Sequence, residues 1–240
     1  MQTIKLGLDC PTGWLFYIED LVDYHYILVD KALKDSTYLK YFKNRDKLKL
    51  LNNRAMMQGV PLPLDEIKKV WDILGGQVIA PDWMWDPERT FNAYEDCCKA
   101  FGKENVIGVL QGMEEEDVDR YGDEVAIPFD LGSEKEEPWE VKADRRIRMV
   151  EKLKGKKIHL LGLTSPRELE HYGCDSVVSL NTGLPILLAM QKKDIRNFEE
   201  DKRDSAYHSM DMDFPLLDNS TYKLMRENIK IIRRLLGCEV

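Results

Sequence analysis

Short apolar runs rich in β-branched residues recur along the chain and alternate with longer amphipathic stretches. The runs are Thr3–Leu8, Tyr24–Val29, Leu48–Leu51, Gln77–Ala80, Val106–Leu110, Glu124–Ile127, Ile158–Leu161 and Ser176–Ser179. Each is short and most end at a polar residue, Gly or Pro, which is the signature of a buried strand. Between them, Leu64–Leu74, Pro87–Phe101, Val141–Leu153 and Pro166–Tyr172 read as helices. Two of these have explicit starts: Asp86 before Pro87 and Ser165 before Pro166 pair a capping side chain with proline at the first helical position. Continuous apolar strands alternating with helices indicate a parallel sheet covered on both faces. Eight strands at spacings of roughly 18 to 34 residues fit a (β/α)8 TIM-type barrel better than an open doubly wound sheet. The expected fold class is therefore α/β, a single barrel domain over residues 1–193. The polar stretch Asp194–Asn219 reads as a long loop or lid. Leu224, Ile229, Ile232 and Leu236 then stand at helical spacing within Tyr222–Leu236, so residues 194–240 are expected to end in a helix packed on the barrel.

Barrel chemistry sits at the C-terminal ends of the strands. One to three residues past each run stand Asp9, Asp30, Asn52, Asp82, Gln111, Asp130, Thr164 and Asn181. All but Thr164 are carboxylates or carboxamides. Such groups suit a planar heterocycle, because Asp accepts from ring N–H and amino groups while a carboxamide also donates to a carbonyl. Carboxylates there equally suit metal binding or general acid–base work. No GxGxxG or Walker pattern follows any strand, which argues against a nucleotide cofactor.

Local motifs narrow the class. Val78-Ile79-Ala80-Pro81-Asp82, Gly108-Val109-Leu110-Gln111-Gly112, His159-Leu160-Leu161-Gly162-Leu163 and Cys174-Asp175-Ser176-Val177 occur in that order. Over roughly residues 24 to 190 this order resembles the tRNA-guanine transglycosylase superfamily, and most closely its compact phage branch that modifies guanine in DNA. The resemblance implies that Asp82 reads the base edge and that Gln111 contacts the base carbonyl. It also places Pro128 in the base-binding loop. Trp83 and Trp85 could supply a stacking wall beside Asp82 or pack the barrel rim. Two family positions are altered: Asn52, in Leu51-Asn52-Asn53-Arg54, replaces an expected acid, and Val178 stands where the family has its carboxylate nucleophile. Covalent base exchange would then fall to Asp175, Asp9 or Asp130. Asn52, Asn53 and Asn181 complete the expected substrate-binding set.

These features lead to an expected transferase acting on a nucleic-acid base. The first reading is a divergent transglycosylase-like enzyme that modifies a base in phage DNA, or in tRNA, by exchange with a 7-deazaguanine or a related modification. A second is transfer of an amine or amino acid onto a pyrophosphorylated hydroxymethyl-pyrimidine in DNA. A third is a non-catalytic nucleic-acid-binding subunit. The expected partners are the nucleic acid, a small-molecule base or amine donor, and a second subunit in a homo- or heterodimer.

Overall composition opposes this. The 240 residues carry 35 Lys and Arg against 43 Asp and Glu, a net charge of −8, whereas nucleic-acid-binding domains are usually basic. The acidity is local, however. Residues 111–140 have a net charge of −10, which leaves +2 for the remainder. Residues 31–49 carry +5 and residues 142–157 carry +6. Lys40, Lys43, Arg45, Arg145, Arg146 and Arg148 are the phosphate-contact candidates, although each stretch alone also fits a solvated helix face. The Glu114–Asp119 run could hold a divalent cation, but a solvated helix start is the favoured reading, and no other cofactor is expected. Five scattered cysteines (Cys10, Cys97, Cys98, Cys174, Cys238) with no CxxC spacing read as reduced thiols. No apolar run approaches the ~18 residues of a membrane span, and no secretory signal pattern opens the chain. A cytoplasmic location is expected, in the host if the protein is viral.

Overall fold

The computed structural model describes residues 3–53, 60–84, 86–111, 115–129, 131, 138–163, 165–172, 176–198 and 217–238. Eight strands form one all-parallel sheet: β1 (Lys5–Leu8), β2 (His25–Leu28), β3 (Lys49–Asn52), β4 (Gln77–Ile79), β5 (Val106–Val109), β6 (Glu124–Pro128), β7 (Lys157–Leu161) and β8 (Val177–Thr182). The hydrogen-bonded order runs β1-β8-β7-β6-β5-β4-β3-β2, so the sheet curls until its first two strands face each other as a (β/α)8 barrel. Each expected strand is found within three residues of its expected bounds.

The helices are α1 (Leu15–Ile18), α2 (Val29–Lys34), α3 (Ser36–Lys43), α4 (Leu64–Leu74), α5 (Pro87–Phe101), α6 (Trp139–Lys152), α7 (Leu184–Met190) and α8 (Asn219–Leu235). The Asp86 side chain accepts the Arg89 N–H at 2.9 Å, as the cap-plus-proline signal requires. Three details depart from the expected pattern. Pro166–His171 is a 3-10 helix, in keeping with its short length. Helix α8 begins three residues early because Asp218 caps it, accepting the Thr221 N–H at 2.8 Å. The α7 segment escaped the amphipathic pattern because it is apolar all round and almost wholly buried.

Two apolar clusters divide the core. The larger lies between sheet and helices, and the smaller fills the barrel with Tyr24, Tyr26, Leu28, Leu50, Ile79, Ile107, Val109 and Ala126. Both strand faces are thus buried, as a barrel demands. Gly7 faces this interior: a Cβ there would lie 2.5 Å from the Tyr24 ring.

Beneath that apolar filling a polar network crosses the N-terminal end of the barrel. Gln77 Nε2 and Lys157 Nζ donate to the Glu124 carboxylate at 2.7 and 2.8 Å. His159 Nε2 lies 3.7 Å from Glu124, and its Nδ1 meets Ser179 Oγ at 2.6 Å. The His159 imidazole and these two donors hold the Glu124 carboxyl well below its ordinary 4.5. A depressed carboxyl stabilises the fold fully above its unfolded value and loses that contribution as pH falls. We therefore expect Glu124→Gln to cost about 1–2 kcal/mol at neutral pH and almost nothing in strong acid. Urea titrations from pH 7 down to pH 3 check this; a pH-independent cost contradicts it.

The seam between β1 and β2 is closed without a regular ladder. Asp23 donates its N–H to Leu6 O at 2.8 Å and accepts the Leu6 N–H through Oδ2 at 2.8 Å. Arg233 of α8 reaches the same carboxylate at 3.1 Å and Leu21 O at 2.9 Å, so the C-terminal helix clamps the seam. Among the described residues no helix is long and apolar enough to cross a membrane.

Candidate functional site at the C-terminal mouth of the barrel

The C-terminal strand ends gather the expected polar residues. Asp9 follows β1 and donates its N–H to Thr182 O at 3.3 Å, which ties the β1 and β8 ends together. Asn52 closes β3. Asn53 is fully buried, and its Nδ2 approaches Ala80 O at 3.4 Å, so it ties the β3 and β4 ends together. Asp82 stands half-buried three residues past β4. Gln111 is buried two residues past β5, Pro128 ends β6, and Asn181 is buried within β8. Asp30 is not a strand end: it lies in the first turn of α2, buried beside Lys34 at 3.9 Å. Asp130, Thr164, Asp175 and Trp85 lie outside the described residues, as do Arg54 and Glu114.

Electrostatics separate Asp82 from the other acids. Desolvation lifts its carboxyl from 3.8 to about 6. No ion pair or side-chain hydrogen bond to another described residue offsets that burial. A carboxyl held near neutrality without a cation is the type of group that clusters at functional sites. Asp9 and Asp82 both act on the Tyr26 phenol, whose ionisation is pushed well above 10, chiefly by burial and then by these carboxylates. Tyr26, packed in the barrel interior, therefore lies within electrostatic reach of both acids. Sequence motifs did not single it out, because it sits inside an apolar strand. Its only sequence signal is the two-residue period Tyr24, Tyr26, Leu28, all three of which line the barrel interior.

Two other positions bear on chemistry. Pairing of Ile158 with Val177 and of His159 with Ser179 makes Val178 the extra residue of a β-bulge. This position, expected from the resemblance to bear a nucleophile, carries only an alkyl side chain. Trp83 is half-buried, with the Arg89 guanidinium 4.4 Å from its ring centre and its backbone N–H donated to Thr90 Oγ1 at 2.9 Å.

The phosphate-contact candidates do not form one face. Lys40 and Lys43 are exposed on α3, in the β2–β3 connection. Arg145, Arg146 and Arg148 lie on α6, in the β6–β7 connection across the barrel. Arg45 is half-buried, with its guanidinium 4.7 Å from the Tyr41 ring and 5.5 Å from the Phe16 ring. Arg148 is exposed and Arg145 half-buried.

Arg146 corrects the expectation outright, since its side chain has no exposure at all. It ion-pairs with Glu168, which is equally buried. It also donates to Tyr172 Oη at 3.0 Å, Leu161 O at 3.3 Å and Gly162 O at 3.0 Å. This fork holds the end of β7, where Gly162 adopts φ +77 against the Phe129 ring. Arg146 thus supports the rim and cannot touch a phosphate.

Among the described residues no three His, Cys, Asp or Glu side chains gather to hold a metal ion. No protein-family model matches the chain, and no curated protein matches it.

Proposed function

We propose that the C-terminal mouth binds a planar nucleobase and that the protein is a transferase modifying a base in DNA, as a divergent relative of the transglycosylase barrels. The observation that carries this reading is Asp82: a half-buried carboxyl, raised to about 6, past the end of β4 at the mouth of a (β/α)8 barrel. An ionised, poorly solvated carboxylate at neutral pH accepts strongly from ring N–H and amino groups. Gln111 on the adjacent strand end adds a carboxamide, and Asp9 supplies a carboxylate for general-base or nucleophilic work.

A second reading is favoured by one specific feature, the alkyl side chain of Val178 together with Asn52 in place of an acid. Transfer of an amine onto a pyrophosphorylated hydroxymethyl-pyrimidine needs no nucleophile at an anomeric carbon. The amine nitrogen would bond to the methylene carbon as the C–O bond to pyrophosphate breaks. Its proton would pass to a mouth carboxylate.

The test is to incubate the pure protein with DNA, or with tRNA, and the candidate donors, and then to digest to nucleosides for mass spectrometry. An exchanged 7-deazaguanine supports the first reading, and an aminated pyrimidine supports the second. Binding without product would instead identify a non-catalytic subunit. Neither product nor binding overturns the proposal. Association should also weaken as salt rises, and Lys40→Gln/Lys43→Gln should lower the slope of log K against log salt by roughly 1–2. A salt-independent affinity contradicts phosphate contact.

A further inference from the structure

The mouth contains three polar groups that the described residues leave without hydrogen-bond partners, and they stand on different sides of the barrel. Asp82 lies past β4. Tyr26 rises from β2 into the interior, and among the described residues its hydroxyl makes no hydrogen bond. Asn181 belongs to β8, diametrically across the sheet order from β4. The residue is 6% exposed, and its buried Oδ1 meets no hydrogen-bond donor among the described residues. Leaving such an acceptor unmet costs about 1–3 kcal/mol, so its retention needs a reason.

A ligand provides one. Asn181 pairs in register with Gly7 on β1 and with Leu161 on β7. Gly7 carries no side chain, and the space beside it is taken by the Tyr24 ring lower in the barrel. Above that ring, no described side chain donates to the Asn181 oxygen. An eight-stranded barrel is only wide enough for side chains or one small ligand. A flat ring entering the mouth would therefore meet Asp82 along one edge, the Asn181 oxygen along the other and the Tyr26 hydroxyl at the floor.

We propose that Tyr26 and Asn181 are specificity-determining residues of this mouth and that, with Asp82, they select a planar heterocycle by its exocyclic amino groups. The inference rests on the reading of the mouth as a base site and sharpens it: a 7-deazaguanine, with one amino group and one carbonyl, should bind with an affinity between those of the two probes below. Two of the three groups accept and one can donate, so the complementary ligand carries amino donors on two edges and one acceptor between them. A ring with carbonyl oxygens in the amino positions would set acceptor against acceptor at Asp82 and at Asn181. Such mismatches against buried polar groups discriminate far more strongly than a missing methylene does.

Isothermal titration calorimetry at pH 7 with two matched free bases tests this. 2,6-Diaminopurine and xanthine share a ring system and differ in bearing amino or carbonyl groups at both exocyclic positions. We expect 2,6-diaminopurine to bind roughly 100-fold more tightly, about tenfold for each group exchanged. Tyr26→Phe and Asn181→Leu should each weaken the diaminopurine complex by roughly tenfold. Asn181→Asp keeps an acceptor oxygen and should retain the binding. Thermal melts of each variant establish that it is folded. Equal affinity for the two bases, no binding of either, or unchanged affinity in both Tyr26→Phe and Asn181→Leu overturns the inference. Because free bases are the probes, a failure here is separate from a failure to modify DNA: selective binding without DNA modification leaves the inference standing and removes the proposed reaction.

Discussion

Arg146→Met is expected to destabilise the protein by roughly 3–5 kcal/mol, the usual cost of removing one partner from a buried ion pair. Arg146 and Glu168 are both fully enclosed, and the same guanidinium satisfies Tyr172 and the carbonyls of Leu161 and Gly162. Methionine fills much of the volume but donates to none of them. A buried carboxylate and two carbonyls then lose their donor together. For a chain of this size, that corresponds to a fall in melting temperature on the order of 10 °C. Arg146→Met/Glu168→Leu should recover a large part of the loss, because an apolar pair of similar volume leaves no buried charge unmet. Urea unfolding of the two variants makes the comparison. A single-variant cost under about 1 kcal/mol would show that Arg146 is solvated, contrary to its burial.

Asp82→Asn should have opposite effects on stability and function. The carboxyl is raised from 3.8 to about 6 in the fold, so its ionised form is disfavoured by folding. The sign follows: stability is lost as pH rises through about 6 and is fully restored near and below 4. A shift of roughly two units sets an upper bound near 3 kcal/mol, and the partial exposure of the side chain brings this to about 1–2 kcal/mol. Asp82→Asn removes the ionisation and should stabilise the protein by that amount at pH 8, with no gain at pH 4. Binding of amino-bearing bases should meanwhile fall by roughly 100-fold, because a charge-assisted acceptor is replaced by a group that also presents N–H donors. Stability gained as function is lost is the pattern of a residue kept for its chemistry. Urea unfolding at pH 8 and pH 4, with calorimetry of base binding, reads both effects. Loss of stability at pH 8 would instead make Asp82 a structural acceptor, and wild-type binding would remove it from the site.

Much of the candidate mouth was legible before any tertiary information. Asp9, Asp82 and Gln111 announce themselves because each polar group directly follows an apolar strand, and in a parallel barrel all such ends emerge on one face. Asn181 was found by the same logic, although it proved to lie inside β8 and not beyond it. Tyr26 was not legible. Strands buried on both faces are apolar throughout, so no alternation tells which residues turn inward. The Glu124–His159–Ser179 network was hidden for the same reason, its members being scattered over three strands.

The basic stretches show the same limit from the side of charge. Residues 142–157 count as +6 in sequence, yet Arg146 is consumed by Glu168, 22 residues away and invisible to a local sum. Lys40 and Lys43 were read alongside Arg148, but the circular strand order sets α3 and α6 on opposite sides.

By itself, then, the sequence determined the elements and their class: eight apolar strands, the capped helix Pro87–Phe101, and the alternation that leaves a parallel barrel as the way to bury every strand on both faces. Those features depend on residues close together in the chain, where periodicity and capping act. Tertiary structure alone decided which side of each strand faces the barrel interior, how Asp23 and Arg233 close the β1–β2 seam, and which charges are buried in pairs. It alone turned Tyr26 into the barrel interior. The reason is that burial and partnership depend on residues distant in sequence, and a (β/α)8 barrel brings these together only when its ring of strands closes.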